Sequence, residues 1–431
     1  MTAHDTVRPP LSVDEALAHV LHRARPLPVE TWTLEAAIGR ALAEDITADV
    51  TLPPWDNAGM DGFAVRRDDV LGASPDAPRT LRLIGTIAAG DAPGPLIEPG
   101  TAVRIMTGAP VPDGADAIVR VEDTSGFAPD ARGLVTVHDD RDARTAPGNV
   151  RPRGEDVRAG DRIAAVGDTV TPALLGVLAS VGCASVPVHR APRVVVASSG
   201  DELRLVDAID DVRAGRGIIS SSTYALPALL RATGAEVRVL PTLPDDPEPL
   251  RDALARALEH DCDLLLTTGG VSMGAHDHLR EVIVSLGGRI DVHRVRVRPG
   301  GPTSTGHVLG IPWIGLPGNP VSTLVMAELL ARPAVRALGG HARVRAHRVP
   351  VRLDEAVAVP AALTYYLRAT LTVADDGTVV ARLSGRQGSN LLTSMARADA
   401  LLEVSGPQEH VPAGTTVSAL LLDHALLGPT A

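Results

Sequence analysis

The sequence predicts a multidomain α/β and β chain built on a central doubly wound, mostly parallel sheet domain. Helical and β-rich segments precede that domain, and a small β-barrel follows it. Three observations carry this expectation. Between Arg193 and Leu338, short apolar runs alternate with stretches of helix length, the pattern of a parallel sheet covered on both faces. From Asp45 to about Val150, and again from about His341, short alternating segments are separated by Gly, Pro and Asp. At 431 residues the chain also exceeds one usual core.

The elements follow in order. Leu11–Arg25 reads as an amphipathic helix, with Ser12 as N-cap, Glu15 completing a capping box, and Leu17, Val20 and Leu21 at helical spacing. Thr33–Leu42 is a second helical pattern that Gly39 ends. LRLIGTIAAG, TAVRIMTG, DAIVRVED and GLVTVHD are short strands with tight turns. Ala143–Asp168, rich in Arg, Gly and Pro, is a return connection. Thr171–Gly182 is a helix with Pro172 in its first turn and Gly182 as its stop.

In the α/β block RVVVAS, EVRVL, DLLLTT, IDVHRVRV and IPWIGL are strands. Ser222–Thr233, Pro247–His260, Asp277–Leu286 and Val321–Leu338 are helices. RVPVRL, TYYLRATLTV, GTVVARL and ALLEV supply a small C-terminal β-barrel or sandwich, of which the barrel is the expectation. The expected domains are 1–45 with 144–182, 46–143, 183–338 and 339–431.

Composition narrows the function. The hydrophobic fraction of 45% and charged fraction of 22% are those of a globular protein. A formal charge of −11 argues against general nucleic-acid binding. There is no lysine, which removes Schiff-base and lysine-nucleophile chemistry. Cys183 and Cys262 have no CxxC partner and no His cluster beside them, and are expected to be buried free thiols in a reducing compartment. The start MTAHDTVRPP has no apolar core of signal-peptide length. No run of about 18 apolar residues appears. A cytoplasmic protein without membrane or nucleic-acid partners is expected.

The candidate site lies in loops that follow the strands of the α/β block: SSGDEL (198–203), LPDDP (243–247), TTGGVSMGAHD (267–277), RPGGP (298–302) and LPGNP (316–320). Loops at the carboxyl ends of parallel strands share one rim, where ligands bind. Small residues such as Gly200, Gly269, Gly270 and Ser272 let the backbone approach an anion. Asp201 and Glu202 either hold a divalent cation or complement a helix N-terminus. Asp277 either complements its helix or completes a metal site with Asp245 or Asp246. Arg294, Arg296 and Arg298 alternate with Val295 and Val297, so they share one face of a strand. That face is either a plain solvent face or an oxyanion-attracting one. DNAGMDGFAV (56–65) and Thr107-Gly108-Ala109 read only as turns.

Taken together, these segments resemble the molybdopterin molybdenumtransferase family, the bacterial MoeA proteins and the gephyrin E domain. The likeness runs through LSVDEAL, LPPWDNAGMDGFAV, PGTAVRIMTGAPVPDGADAIVRVED, RGEDVRAGD, SSGDEL, TTGGVSMGAHD, GLPGNPVS and RQGSNLLTSMARADALLEV. It covers nearly the whole chain, and MTGAPVPDGADAIV and MDGFAV are its most specific parts.

The resemblance implies a homodimer of elongated four-domain subunits with the active site shared between them. It implies an enzyme that takes adenylylated molybdopterin and molybdate as substrates. With a divalent cation such as Mg2+ it hydrolyses the adenylate and releases AMP and molybdenum cofactor. Carried over by motif, Asp61, Thr107, Glu202 and Asp277 are catalytic, and Glu202, Asp245 and Asp277 hold the metal. Gly200, Asp201, Asp245, Gly269, Gly270, Ser272, Arg294, Arg298, Pro317, Pro320 and Ser389 bind substrate. A molybdopterin adenylyltransferase and cofactor-receiving enzymes are the implied partners.

The chain departs from the family pattern at three places. Gly301 stands where many members carry lysine, Ala275-His276 where many read Gly-Glu, and Ser220-Ser221-Ser222 where the usual pattern is Asp-x-Asn. An altered paralogue that binds molybdopterin or acts as a scaffold is therefore the alternative. An adenylyltransferase is disfavoured, because that family resembles only the α/β block.

Overall fold

The computed structural model describes residues 9–127, 133–270, 278–360, 363–405 and 410–422. The chain divides into two compact units. One comprises Met1–Glu44, Val166–Thr171 and Val186–Ala431; the other comprises Asp45–Ala165 and Pro172–Ser185.

The larger unit opens with α1 (Val13–Arg23), which buries Val13, Ala16, Leu17 and Val20. Its capping box forms as expected: the Glu15 amide donates to Ser12 Oγ at 3.2 Å, and the Ser12 amide donates to Glu15 Oε2 at 2.7 Å. The second helical pattern shrinks to Leu34–Ala37, and Gly39 turns the chain at a φ of 78°.

The smaller unit holds a five-stranded sheet of β1 (Gly62–Val65), β2 (Arg79–Ile87), β3 (Thr101–Ile105), β4 (Ala117–Arg120) and β5 (Leu134–Val137), in the order β4–β1–β3–β2–β5. All pairs are antiparallel except β2 with β3. Phe63, Val65 and Val119 pack on one face, and Ala64, Ile105 and Ile118 on the other. DNAGMDGFAV is therefore more than a turn, because its second half is the inner strand β1. A side chain at Gly62 would run into the Val119 carbonyl, so glycine here marks a close backbone approach within a sheet. Helix α2 (Pro172–Ser180) matches its expected bounds, and Gly182 follows with a φ of 82°.

The α/β part of the larger unit contains β6 (Arg193–Ser198), α3 (Ser222–Ala232), β7 (Glu236–Val239), α4 (Pro247–Leu258), β8 (Leu264–Thr268), α5 (Leu279–Ser285), β9 (Arg289–Val292), β10 (Val297–Arg298), β11 (Ser304–Val308) and β12 (Ile311–Leu316). The sheet order is β7–β6–β8–β12–β11–β9. The first four strands are parallel; β11 joins β12 and β9 antiparallel. Val194 and Val196 belong to one core and Val195 to the other, as period two requires of a sheet covered on both faces. The last helical stretch is α6 (Pro320–Met326), a π turn (Ala327–Ala331) and α7 (Arg332–Leu338) in succession.

One expected strand is not a single strand. IDVHRVRV splits into β9, which ends at Val292, and β10, which leaves the central sheet to pair with the C-terminal barrel. Exposure still alternates from Arg294 to Arg298, with both valines buried and the three arginines outside.

The barrel comprises β13 (Arg348–Leu353), β14 (Thr364–Val373), β15 (Val379–Leu383), β16 (Ala400–Val404) and β17 (Thr416–Leu421). It closes in the order β14–β15–β13–β17–β16 and back to β14. Leu353, Leu367, Ala381, Leu402 and Ala419 fill it. Closure removes sheet edges. Among the described residues no helix is long and apolar enough to cross a membrane. Both cysteines are free and only partly buried, and burial pushes the Cys262 thiol up to about 11, the state of an inert thiol.

Candidate functional site

The loops predicted to share a rim do so. Ser199, Gly200, Glu202, Asp245, Thr268–Gly270, Pro302 and Pro317–Pro320 line one cleft of about 560 Å³. They sit past the carboxyl ends of β6, β7, β8 and β12. The chain turns sharply there because glycine permits it. Gly269 has a φ of 87°, and a Cβ on it would lie 2.6 Å from the Ser199 carbonyl oxygen.

Hydroxyl contacts tie the lining residues Thr268, Ser220 and Pro317 to the elements behind them. Thr268 Oγ1 donates to Ser198 Oγ at 3.0 Å, and Thr223 Oγ1 reaches the same oxygen at 3.4 Å. Ser220 Oγ and Thr223 Oγ1 are 2.7 Å apart, and Thr323 Oγ1 donates to the Pro317 carbonyl at 2.6 Å. Ser220, Ser221 and Ser222, which replace the usual Asp-x-Asn, all line this cleft. They put neutral hydroxyls where the pattern carries an acid and an amide.

Glu202 and Asp245 are the only charged side chains lining the cleft among the described residues. Asp201 and Asp245 bind each other's backbone: the Asp201 amide donates to Asp245 Oδ2 at 3.4 Å, and the Asp245 amide donates to Asp201 Oδ1 at 3.3 Å. These contacts tie the first and second loops together. Two carboxylates with no arginine among them suit a cation more than a bare anion. No group of three His, Cys, Asp or Glu suited to a metal occurs among the described residues. Asp277, Ser272 and Ala275 lie outside the described residues.

The other expected residues fall as follows. Pro317 and Pro320 line the cleft. The Ser389 carbonyl accepts from the Val321 amide at 3.1 Å, which docks the QGS segment on the last loop, and its neighbour Asn390 lines the cleft. Arg294 and Arg298 are exposed and do not line it. Gly301 is next to the lining residue Pro302, with the carbonyl oxygens of Val297 and Val295 at 3.3 and 3.5 Å from where a Cβ would sit.

In the smaller unit Asp61 and Thr107 meet. The Thr107 amide and hydroxyl donate to Asp61 Oδ1 at 2.7 and 2.6 Å. The hydroxyl first, then the amide, holds the exposed Asp61 carboxyl below its usual range. The pair joins the end of β3 to the start of β1, two segments that the sequence offered only as separate turns.

Sequence reasoning missed Arg368. It is fully buried, donates through Nη2 to the carbonyls of Arg386 and Gly388 at 3.2 and 3.0 Å, and reaches Ser394 Oγ at 3.2 Å through Nε. Burial without a carboxylate partner lowers its pKa to about 10. It anchors the loop that carries Ser389 and Asn390. The one available signal was a charged residue at a barrel-strand position flanked by apolar residues.

Comparison with known proteins is consistent along the whole chain. Residues 11–182 match the MoeA N-terminal region (domain I and II), 195–337 a probable molybdopterin binding domain, and 350–422 the MoeA C-terminal region (domain IV). A Mycobacterium tuberculosis protein named molybdopterin molybdenumtransferase 2 is 38% identical over 405 residues, 93% of this chain and 96% of that one. The chain belongs to the MoeA family. A Bacillus subtilis molybdopterin molybdenumtransferase is 34% identical over 415 residues, 96% of this chain and 95% of its own length. Two solved MoeA structures from Pyrococcus horikoshii share the fold. One has a TM-score of 0.79 at 24% identity, covering 96% of this chain and 100% of that one. The other has 0.71 at 28%, covering 96% and 99%.

Proposed function

We propose that this MoeA-family chain is a molybdopterin molybdenumtransferase. It takes adenylylated molybdopterin and molybdate, hydrolyses the adenylate, and releases AMP and molybdenum cofactor. The observation that carries the reading is the cleft: its glycine-turned loops leave the backbone open to a phosphate, while Glu202 and Asp245 are its only charged lining groups among the described residues. Those residues fit Mg2+, which takes one or two protein carboxylates and completes its shell with water and phosphate oxygens. Glu202, Asp245 and Asp277 would hold it, and when bound it would polarise the phosphoanhydride.

The chain's own groups do the rest. Gly200, Gly269, Gly270 and Ser272, being small, let the phosphate approach the backbone closely. The Ser220–Ser222 hydroxyls and Thr268 hydrogen-bond the substrate without adding negative charge. Asp61, held in place by its two hydrogen bonds from Thr107, orients the groups around the reacting phosphorus. Exposed Arg294 and Arg298 draw molybdate, a dianion, toward this face. In the proposed assembly the chain has four domains with the boundaries given above. It works in the cytoplasm as a homodimer with the site shared between subunits, supplied by an adenylyltransferase and drained by cofactor-receiving enzymes. The full-length family match supports this reading over a scaffold without turnover.

The test is AMP release from adenylylated molybdopterin by the purified chain with magnesium, with and without molybdate. Molybdate-dependent AMP release, with a product that activates an apo-molybdoenzyme, is expected. Tight pterin binding without AMP release would overturn the enzyme reading in favour of the scaffold. Asp277→Ala is expected to abolish release while leaving the melting temperature unchanged; unaltered release would remove its metal role.

A further inference from the structure

A second pocket of about 430 Å³ lies at the opposite end of the same parallel strands. It is formed by the chain entering β6 and by the carboxyl ends of α3 and α7. The six-residue strand β6 separates the two rims, a distance of about 20 Å. The pocket is lined by Arg40, Arg190, Arg231, Arg336, His189 and His341, and no carboxylate lines it among the described residues.

Arginines near helix carboxyl ends often serve only the last carbonyls. Here backbone amides already take those carbonyls. Ala235 and Gly234 donate to Leu230 and Arg231, and Gly339, Gly340 and His341 donate to Val335, Ala337 and Arg336. Arg190 is neutralised by Asp263 through two bonds of 2.7 and 2.6 Å. Arg40 lies 4.1 Å over the Trp32 ring, which fixes its plane, and Arg231 donates to the Val237 carbonyl at 3.3 Å. Neither Arg40 nor Arg231 has an ion-pair partner among the described residues. Of the acids around the pocket, Asp261 pairs with Arg193 at 2.6 Å and Glu30 accepts from the Trp32 indole at 2.8 Å. His189 Nδ1 is spent on the Leu27 carbonyl at 2.6 Å. Burial first, then the charges of Arg336 and His189, lowers His341 to about 4, which agrees with a positive field in the pocket.

We propose that this pocket is a second ligand site of the chain, binding a multivalent tetrahedral oxyanion through Arg40 and Arg231. The oxyanion is either free, as phosphate or pyrophosphate, or carried by a nucleotide. The guanidinium fork matches such oxygens, and the volume fits a ligand of that size. The site is independent of the transferase reading and of its cleft.

The test is calorimetric titration of the full-length protein with inorganic phosphate, pyrophosphate and AMP in low salt with EDTA, so that no divalent cation serves the cleft. Wild type is expected to bind pyrophosphate. In Arg40→Gln/Arg231→Gln the Kd should rise at least about tenfold, the loss of one charge-assisted contact or more. In Glu202→Gln/Asp245→Asn it should not change. Single Arg231→Gln, an exposed position, should give an intermediate loss while circular dichroism stays native. Binding of AMP with the same arginine dependence identifies a nucleotide as the source, and phosphate or pyrophosphate binding without it identifies the free ion. No binding by wild type, or binding that survives the double basic variant, overturns the proposal.

Discussion

Asp61 keeps its charge to lower pH than an ordinary carboxylate because Thr107 gives it two short hydrogen bonds. Its pKa in the folded chain is therefore depressed, and the stabilisation it adds is present above the unfolded value and is lost as pH falls through the folded one. Asp61→Ala is expected to cut molybdate-dependent AMP release by about 100-fold, the scale of one lost preorganised group. Its melting temperature should fall only slightly, by the loss of two hydrogen bonds at an exposed side chain, with the native circular dichroism retained. Activity within a factor of about two of wild type, too small for such a group, would remove Asp61 from the site. His341 shows the opposite charge logic. Burial and neighbouring Arg336 and His189 depress it from 6.5 to about 4, so the unfolded chain takes the proton first. Stability is whole above about pH 6.5 and falls toward pH 4, by up to about 3 kcal/mol. His341→Gln should flatten that part of the stability–pH profile in urea titrations. At Gly269 the backbone rules: φ is 87° and a Cβ would sit 2.6 Å from the Ser199 oxygen. Gly269→Ala should cost about 1–3 kcal/mol, read as a lower melting temperature. The tight turn at Gly269 was legible in TTGG. The hydroxyl contacts were not, because Ser198, Thr223, Thr268 and Thr323 come from four elements that only the sheet order brings together.

Elements were legible where their determinants are local. Ser12 and Glu15 specify the start of α1 within three residues, and Pro247 follows an N-cap Asp246 that accepts from the Glu248 amide. Glu15→Ala should therefore lower the denaturation midpoint by opening the capping box, and an unchanged midpoint would show that packing on Leu17 and Val20 alone sets the helix. Elements failed where pairing is decided at a distance. Residues 289–298 alternate with period two on either side of a one-residue slip at His293-Arg294, and beyond that slip Val297 and Arg298 pair with Thr364 and Tyr365, some 67 residues later, so the strand divides. GFAV looked like part of a turn for a related reason. Glycine and alanine carry little strand preference, and only the approach of the Val119 backbone makes β1 an inner strand. Arg368 is a further case: a charge in an apolar strand reads as an error until the carbonyls of Arg386 and Gly388 appear beside it.

At the scale of the whole molecule, the order of domain types was legible because each has its own period: 3.6 and 2 alternating in the α/β block, and 2 with turn residues elsewhere. How they combine into one catalytic centre was not, since in the proposed homodimer that depends on assembly, which no pattern along one chain encodes. The proposed homodimer, with each site drawing on both subunits, makes a specific demand. Asp61 belongs to the smaller compact unit, and Glu202 to the larger. If one subunit supplies Asp61 and its partner supplies Glu202, then Asp61→Ala and Glu202→Gln chains, each inactive alone, should complement one another. In a mixed dimer one of the two sites carries both substitutions and the other carries neither. With equal co-expression about half the dimers are mixed, so AMP release should recover to about a quarter of wild type per chain, by the statistics of a two-fold symmetric pair. Tagging the two chains differently and purifying through both tags should raise this to about half. Recovery at that level would place Asp61 and Glu202 of different chains in one site. Doubly tagged dimers that form normally yet release no AMP would confine each site to a single chain.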